Sequence, residues 1–310
     1  MRNGLSPSCI TLPHMRQPPW PTVLACLLER LPRVAPGVWQ QRFENGHIFN
    51  AQGQAIDPHT PYAGGMQVYY WRDVPDEAPV PFEAHIVFED EHLLVADKPH
   101  FLAVTPGGRH VQETLLVRLK QRTGLADLSP LHRIDRETAG LVLLSKRAQD
   151  RNAYQQLFRD RQVRKTYEAV APWRPTLTLP HVHRSALVND ETTFYRMREA
   201  LADEGLAPNT ETHMARAQPL HSVNAQGQPL ALYTLHPITG KRHQLRVHMM
   251  SLGAPIEGDL FYPQVLHTPG EPDDYSQPLQ LLCKCMTLDD PITQQRRVFE
   301  SRQSLALALA

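Results

Sequence analysis

Long apolar runs are missing from this chain of 310 residues. None approaches the roughly 20 residues that a membrane-spanning helix needs. The opening twenty residues, MRNGLSPSCITLPHMRQPPW, have no apolar core of the kind a secretory signal carries. A soluble, cytoplasmic protein is expected, with no membrane partner. Cysteine is scarce as well: Cys9, Cys26, Cys283 and Cys285 are too few and too oddly spaced for a disulfide framework, which fits a reducing compartment. An excess of either charge is also absent, because 32 Lys and Arg balance 32 Asp and Glu. No bulk field pulls the molecule onto RNA or a membrane, so polyanion binding must be local. Internal repeats are lacking too, which sets repeat architectures aside.

What is present divides into two domains. Residues 1–20 are Pro-rich and read as a disordered tail. TVLACLLERL then places Val23, Leu24, Leu27, Leu28 and Leu31 on one helical face. A second short helix around GVWQQRFE stops at Asn45-Gly46, and HIFNAQ and MQVYYWR read as strands, giving a small α/β module over 21–74. A Pro-rich linker follows over 75–84. The larger domain, 85–302, opens with AHIVFEDEHLLVADKP as a β-hairpin. A helix at TLLVRLKQR, a strand at LVLLSK, a helix over 148–160 and a strand at VRKTYEAVAP come next. The polar stretch 175–230 reads as an insertion, and 303–310 as a tail. Without a regular βαβ period, the class is α+β with a mixed, largely antiparallel sheet.

Local charge supplies what the global balance does not. From Leu131 to Lys165, nine Lys and Arg stand against four acids, enough to attract a phosphate backbone, although such clusters also serve as plain solvated faces. Inside this stretch LHRIDRETAGLVLLSK sets Asp135 between Arg133 and Arg136, just before an apolar run. ITGKRHQLRVHMMSLG, read as a helix, puts Thr239, Arg242, His243 and Arg246 on a charge-binding face. Leu245, His248, Met249 and Leu252 form its packing face, with His248 as a structural core histidine. His181-Val182-His183 invites a metal, but no third ligand of suitable spacing is evident, so none is expected. Cys283 and Cys285 read as structural cysteines of a late strand.

LHRIDRETAG resembles the HRLDR-x-TSG signature of the RluA-type pseudouridine synthases. LLVADKP, VRKTYEAV, ITGKRHQLRVH and GAPIEGDLFY look like further segments of that family in the same order. Ile134, Ala139 and Lys241 depart from its pattern. The resemblance implies isomerisation of uridine to pseudouridine in ribosomal or transfer RNA, without cofactor or metal. It assigns Asp135 as the catalytic carboxylate, kept ionised by nearby arginines. Tyr167 is the aromatic that meets the base, and Arg246 is the salt-bridge partner of Asp135, beside Leu245. Arg133 fills the space that a flipped nucleotide vacates, while Arg136, Arg242, His243 and Lys165 are substrate contacts. The N-terminal module resembles an alpha-L RNA-binding domain, though Trp20 to Asp73 holds only four arginines (30, 33, 42, 72) against four acids (29, 44, 57, 73). A site contained within one domain makes a monomer sufficient. Two other classes stay open: a metal-dependent phosphodiesterase built on the sixteen histidines, and a non-catalytic RNA-binding protein on a synthase scaffold.

Overall fold

The computed structural model describes residues 4–32, 34–71, 77–108, 110–193, 195–266 and 271–309. Arg33, Arg72 and Asp73 of the charge balance, Pro75 and Asp76 of the expected linker, and the outermost residues of both expected tails lie outside the described residues. The chain divides into two units, Met1–Glu77 and Ala78–Ala310. Among the described residues no helix is long and apolar enough to cross a membrane.

In the smaller unit, strands β1 (Ser8–Thr11), β2 (Ile48–Phe49) and β3 (Gln67–Tyr70) form an antiparallel sheet in the order β1-β3-β2. The Pro-rich start was expected to be disordered; instead Ser8–Thr11 finds a partner 56 to 62 residues away in β3, a pairing that local composition does not reveal. Helix α1 (Val23–Arg30) begins where the Thr22 hydroxyl accepts the Ala25 N–H at 3.2 Å. Helix α2 (Pro36–Glu44) starts on a proline, whose fixed φ suits a first turn. Val23, Leu27, Trp39, Phe43 and Val68 build a core of their own. Arg42, one of the four arginines counted above, is buried there with its guanidinium 5.1 Å from the Trp39 ring.

The larger unit contains β4 (His85–Glu89), β5 (Leu93–Lys98), α3 (Leu115–Thr123), β6 (Ser129–Pro130), β7 (Ala139–Ser145), α4 (Arg151–Arg159) and β8 (Arg164–Pro172). It continues through β9 (His181–Ser185), β10 (Leu187–Asn189), β11 (Met197–Glu199), β12 (Thr210–Val223), β13 (Pro229–Pro237), α5 (Gln244–Ser251), β14 (Leu281–Asp289) and β15 (Arg296–Glu300). The main sheet runs β4-β5-β7-β14-β8-β13-β12-β9, and its pairings are antiparallel except for β14 on β7. This is the mixed α+β sheet that the sequence pattern predicts. Strand β7 is buried along its whole length, as a central strand covered on both faces must be. Where it meets β14, Gly140 adopts φ 110°, and a Cβ there would lie 2.3 Å from the Cys283 carbonyl oxygen, so only glycine fits. Residues 175–230, read as an insertion, supply two strands of this sheet, β9 and β12, together with the separate ribbon β10–β11.

Candidate active site

The loop that carries Asp135 joins β6 to β7 and is fixed by backbone groups. Leu131 N–H donates to the Leu143 carbonyl at 2.9 Å, and Leu143 N–H donates to His132 Nε2 at 3.1 Å. Burial holds His132 neutral, with its pKa pushed down to about 3, and its ring stacks on Phe158. From the end of β5, buried Lys98 donates through Nζ to the carbonyls of Pro99 and Arg136 at 2.8 and 3.0 Å. His100 Nδ1 lies 2.7 Å from the Glu137 carbonyl, for which it is the donor. The two residues after Asp135 are thus pinned by their carbonyls, which fixes the Asp135 carboxylate without consuming its oxygens.

That carboxylate opens onto a cavity of about 970 Å³, lined among others by Arg133, Lys165, Tyr167, Lys241, Leu245 and Arg246. Arg246 is fully buried, and its fork is occupied by Asp259: Nε and Nη2 donate to Oδ2 and Oδ1 at 2.8 and 2.6 Å. Its third nitrogen, Nη1, sits 3.6 Å from both Asp135 and Glu137. Burial alone would lower the guanidinium pKa, but Asp259, Glu137 and Asp135 more than reverse this. The expected Arg246–Asp135 ion pair is therefore present as the looser contact, and the bidentate partner is Asp259. Burial likewise pushes the Asp135 carboxyl above the ordinary carboxylate range, against the charge of Arg246. This corrects the expectation that neighbouring arginines lower it: desolvation outweighs the one guanidinium that faces it.

Tyr167 is buried in β8, paired across the sheet with Leu235 and Cys283. Burial, the Cys283 thiol and the charge of Asp135 all raise its hydroxyl pKa, so it remains a proton donor. Lys165 lines the cavity two residues earlier, its pKa lowered by burial. Arg133 is exposed at the rim, and Leu245 is packed in the floor. Three of the expected substrate contacts look different in the structure. Arg136 pairs with Asp273 and, at 3.5 Å, with Glu137. Arg242 donates to the Arg196 carbonyl at 3.1 Å and to Asn189 Oδ1 at 3.3 Å, bracing the β10–β11 ribbon. His243 is buried against Tyr262, with Nδ1 2.9 Å from its hydroxyl, and burial pushes its pKa down to about 3. A neutral buried imidazole is no phosphate ligand.

The helical reading of 238–253 needs the same correction. Helix α5 starts only at Gln244, because His243 adopts a left-handed φ of 56°. Thr239, Arg242 and His243 therefore precede the helix, and the expected charge-binding face is an inward one that holds Arg246. Of the nine basic residues from 133 to 165, five (133, 136, 159, 161, 165) line the cavity. Lys146 and Arg147 instead pair with Glu89 and Glu91 on the surface. Sequence reasoning missed Asp259, Glu137 and Lys98 as parts of the site. The available signal was physical: an arginine inside an apolar helix needs a carboxylate, and Asp259 lies within a segment already singled out. It also missed that His183 lies beside Glu199 and His248, a proximity that spacing alone does not reveal.

Over residues 92–251 the chain matches the family model described as RNA pseudouridylate synthase. It is 31% identical over 224 residues to an uncharacterized RNA pseudouridine synthase of Synechocystis, a match covering 72% of this chain and 73% of that one. It is 30% identical over 222 residues to the dual-specificity RNA pseudouridine synthase RluA of Haemophilus influenzae, covering 70% and 92%. Among solved structures, human RNA pseudouridylate synthase domain containing 4 superposes with a TM-score of 0.52 at 26% identity, covering 71% of this chain and 88% of that one. Human RNA pseudouridylate synthase domain containing 1 shares the fold, with a TM-score of 0.57 at 21% identity over 74% and 86% of the two chains.

Proposed function

The chain belongs to the RNA pseudouridylate synthase family, in its RluA-type branch, and from that premise we propose that it isomerises particular uridines of structured RNA with Asp135 as the catalytic carboxylate. The observation that carries this reading is that Asp135, Tyr167 and Arg246 line one cavity together with Lys165, while Arg133 and Lys241 are exposed at its rim. The reaction breaks the bond from ribose C1′ to uracil N1, turns the base, and joins C1′ to C5. The proton leaves C5 and N1 is protonated, so no cofactor is consumed.

A base inside a stack cannot reach a carboxylate at the bottom of a cavity, so the uridine is flipped in and Arg133 at the rim takes its place. Asp135 then attacks the base or assists departure at the sugar. Arg246, fixed by Asp259, opposes the burial that would otherwise protonate Asp135. The neutral Tyr167 hydroxyl packs against the base and is suited to give a proton rather than take one. The lysines and arginines of the cavity attract the RNA backbone where the balanced whole molecule would not.

Relatives carry names for both RNA classes, among them a ribosomal large subunit pseudouridine synthase D of Zymomonas mobilis and a tRNA pseudouridine(31) synthase of Saccharomyces cerevisiae. We favour ribosomal RNA, acted on in the cytoplasm by a single chain. Residues 21–74 are proposed as a degenerate alpha-L module with a structural role, a reading supported by the burial of Arg42. The test is carbodiimide mapping of pseudouridine in total RNA from cells lacking the gene, complemented with the normal chain or with Asp135→Ala. Loss of one stop that only the normal chain restores supports the reading and names the uridine; a stop that Asp135→Ala restores equally well sinks it.

A further inference from the structure

None of His183, Glu199 and His248 lines the cavity, yet they converge from three elements: β9, the end of β11, and α5. Their ligand atoms all lie within 4.8 Å of one another. His183 Nε2 is 2.7 Å from Glu199 Oε1, and the His183 and His248 rings meet edge to face with centroids 4.6 Å apart. We propose that these three residues form a zinc site that ties the β10–β11 ribbon and the edge strand β9 to α5.

Zinc takes imidazole nitrogen and carboxylate oxygen at about 2.0–2.2 Å, which sets neighbouring ligand atoms roughly 3.3 Å apart in a tetrahedron. The observed cluster closes to that spacing by small side-chain adjustments. Two imidazoles and one carboxylate suit zinc, with water in the fourth position, and fit poorly the oxygen-only shells of magnesium or calcium.

The surrounding hydroxyls orient the ligand that matters most. Thr212 Oγ1 accepts from the Gln244 side chain at 3.0 Å and lies 2.9 Å from His248 Nδ1. Thr210 Oγ1 donates to the Ser185 carbonyl at 2.6 Å, so towards His248 Nε2, 3.0 Å away, it can only accept. Ser185 Oγ, 3.1 Å from the same nitrogen, can donate to it, so Nε2 has both an acceptor and a donor beside it while Thr212 pairs with Nδ1 in either tautomer. With metal on Nε2, Nδ1–H donates to Thr212, the usual arrangement behind a metal-bound histidine. The same hydroxyl serves both tautomers, so the ring need not rotate. His181 lies on the same strand face, with its ring centroid 6.2 Å from that of His183, but it does not belong to the convergent set. It provides the control. The inference does not depend on the reaction proposed for the cavity.

The full chain, stripped by chelator, is titrated with zinc chloride and followed by calorimetry and thermal unfolding. One equivalent should bind, and Tm should rise by about 5–10 °C at a hundredfold excess over Kd. Glu199→Gln, which keeps volume and an acceptor oxygen, should weaken binding at least tenfold, as should His183→Ala, while His181→Ala keeps it. Circular dichroism without metal verifies that each variant is folded. Cobalt(II) in place of zinc should give ligand-field absorption of low-coordinate intensity in the parent chain and none in Glu199→Gln. Absence of stoichiometric zinc uptake overturns the proposal. So does uptake that survives Glu199→Gln or His183→Ala in a folded protein, and so does uptake abolished by His181→Ala, which would mark simple chelation by the His-x-His pair.

Discussion

On one side of α5, Arg246 gathers Asp259, Asp135 and Glu137 around a full positive charge; on the other, His248 is surrounded by the hydroxyls of Thr210, Thr212 and Ser185. The two residues are two positions apart, roughly 200° around the helix axis, and both side chains are completely buried. The difference lies in what remains open. Asp259 saturates two nitrogens of Arg246 and leaves Nη1 aimed, at 3.6 Å, towards the carboxylate that faces the cavity. Around His248 both nitrogens have hydroxyl neighbours within 3.1 Å. Slack on the cavity side of Arg246 lets the charged cluster respond to a ligand there, whereas the hydroxyls around His248 hold a neutral ring in one orientation.

That contrast can be broken most drastically on the Arg246 side. Asp135→Asn should reduce pseudouridine formation by on the order of 10^4-fold or more, measured in single turnover. The same change should raise Tm at pH 7. Because burial raises the Asp135 pKa, the folded chain holds that proton more tightly than the unfolded one. Its contribution is fully present below the ordinary carboxylate range and is lost as pH rises through the folded pKa. The Tm advantage of Asn should therefore disappear in acid. An unchanged Tm at pH 7 would mean that Asp135 is solvated rather than buried.

Next in size is Asp259. Asp259→Ala leaves a buried guanidinium with only distant partners and should cost about 3–5 kcal/mol in urea unfolding. The milder Asp259→Asn should lower kcat about 100-fold by releasing Arg246. Since Asp259 also raises the Asp135 pKa, the acid limb of the pH–rate profile should move to lower pH in Asp259→Asn. A profile that stays in place would separate Asp259 from the Asp135 carboxylate.

On the other side the effects shrink and change character. His248→Ala removes a buried ring and strands three hydroxyls, for an expected loss of about 2–4 kcal/mol, with kcat of the folded fraction within a few fold of the parent. Without metal, Glu199→Gln should cost no more than about 1 kcal/mol, because the His183–Glu199 pair is partly solvated. Turnover should be unchanged. A large kcat effect from either variant would show that the two faces of α5 are mechanically coupled.

How much of this was readable beforehand follows from how local each determinant is. Helix α3 was legible because Thr114 caps it and Gly124 ends it within the same short stretch. Asp135 stood out because two arginines flank it immediately before an apolar strand. The failures are non-local. Strand β1 pairs with residues about sixty positions away, and the stretch 175–230 looks polar because β12 and β9 lie towards the sheet edge. The start of α5 depends on one left-handed residue, His243, which no periodicity marks. Nor did charge pattern show that Arg246 would choose Asp259 over Asp135, since that choice is made by burial and fork geometry in the folded state.

The sheet order also has a meaning in time. Strand β14 lies between β7 and β8 although it is the second-to-last strand among the described residues. During synthesis the ribosome must therefore release residues 281–289 before β7 and β8 can be joined. A nascent chain halted after about residue 280 would carry Asp135, Tyr167 and Arg246 and still lack the strand that sets their spacing. Modifying activity should therefore begin only after residues 281–289 have been released and paired.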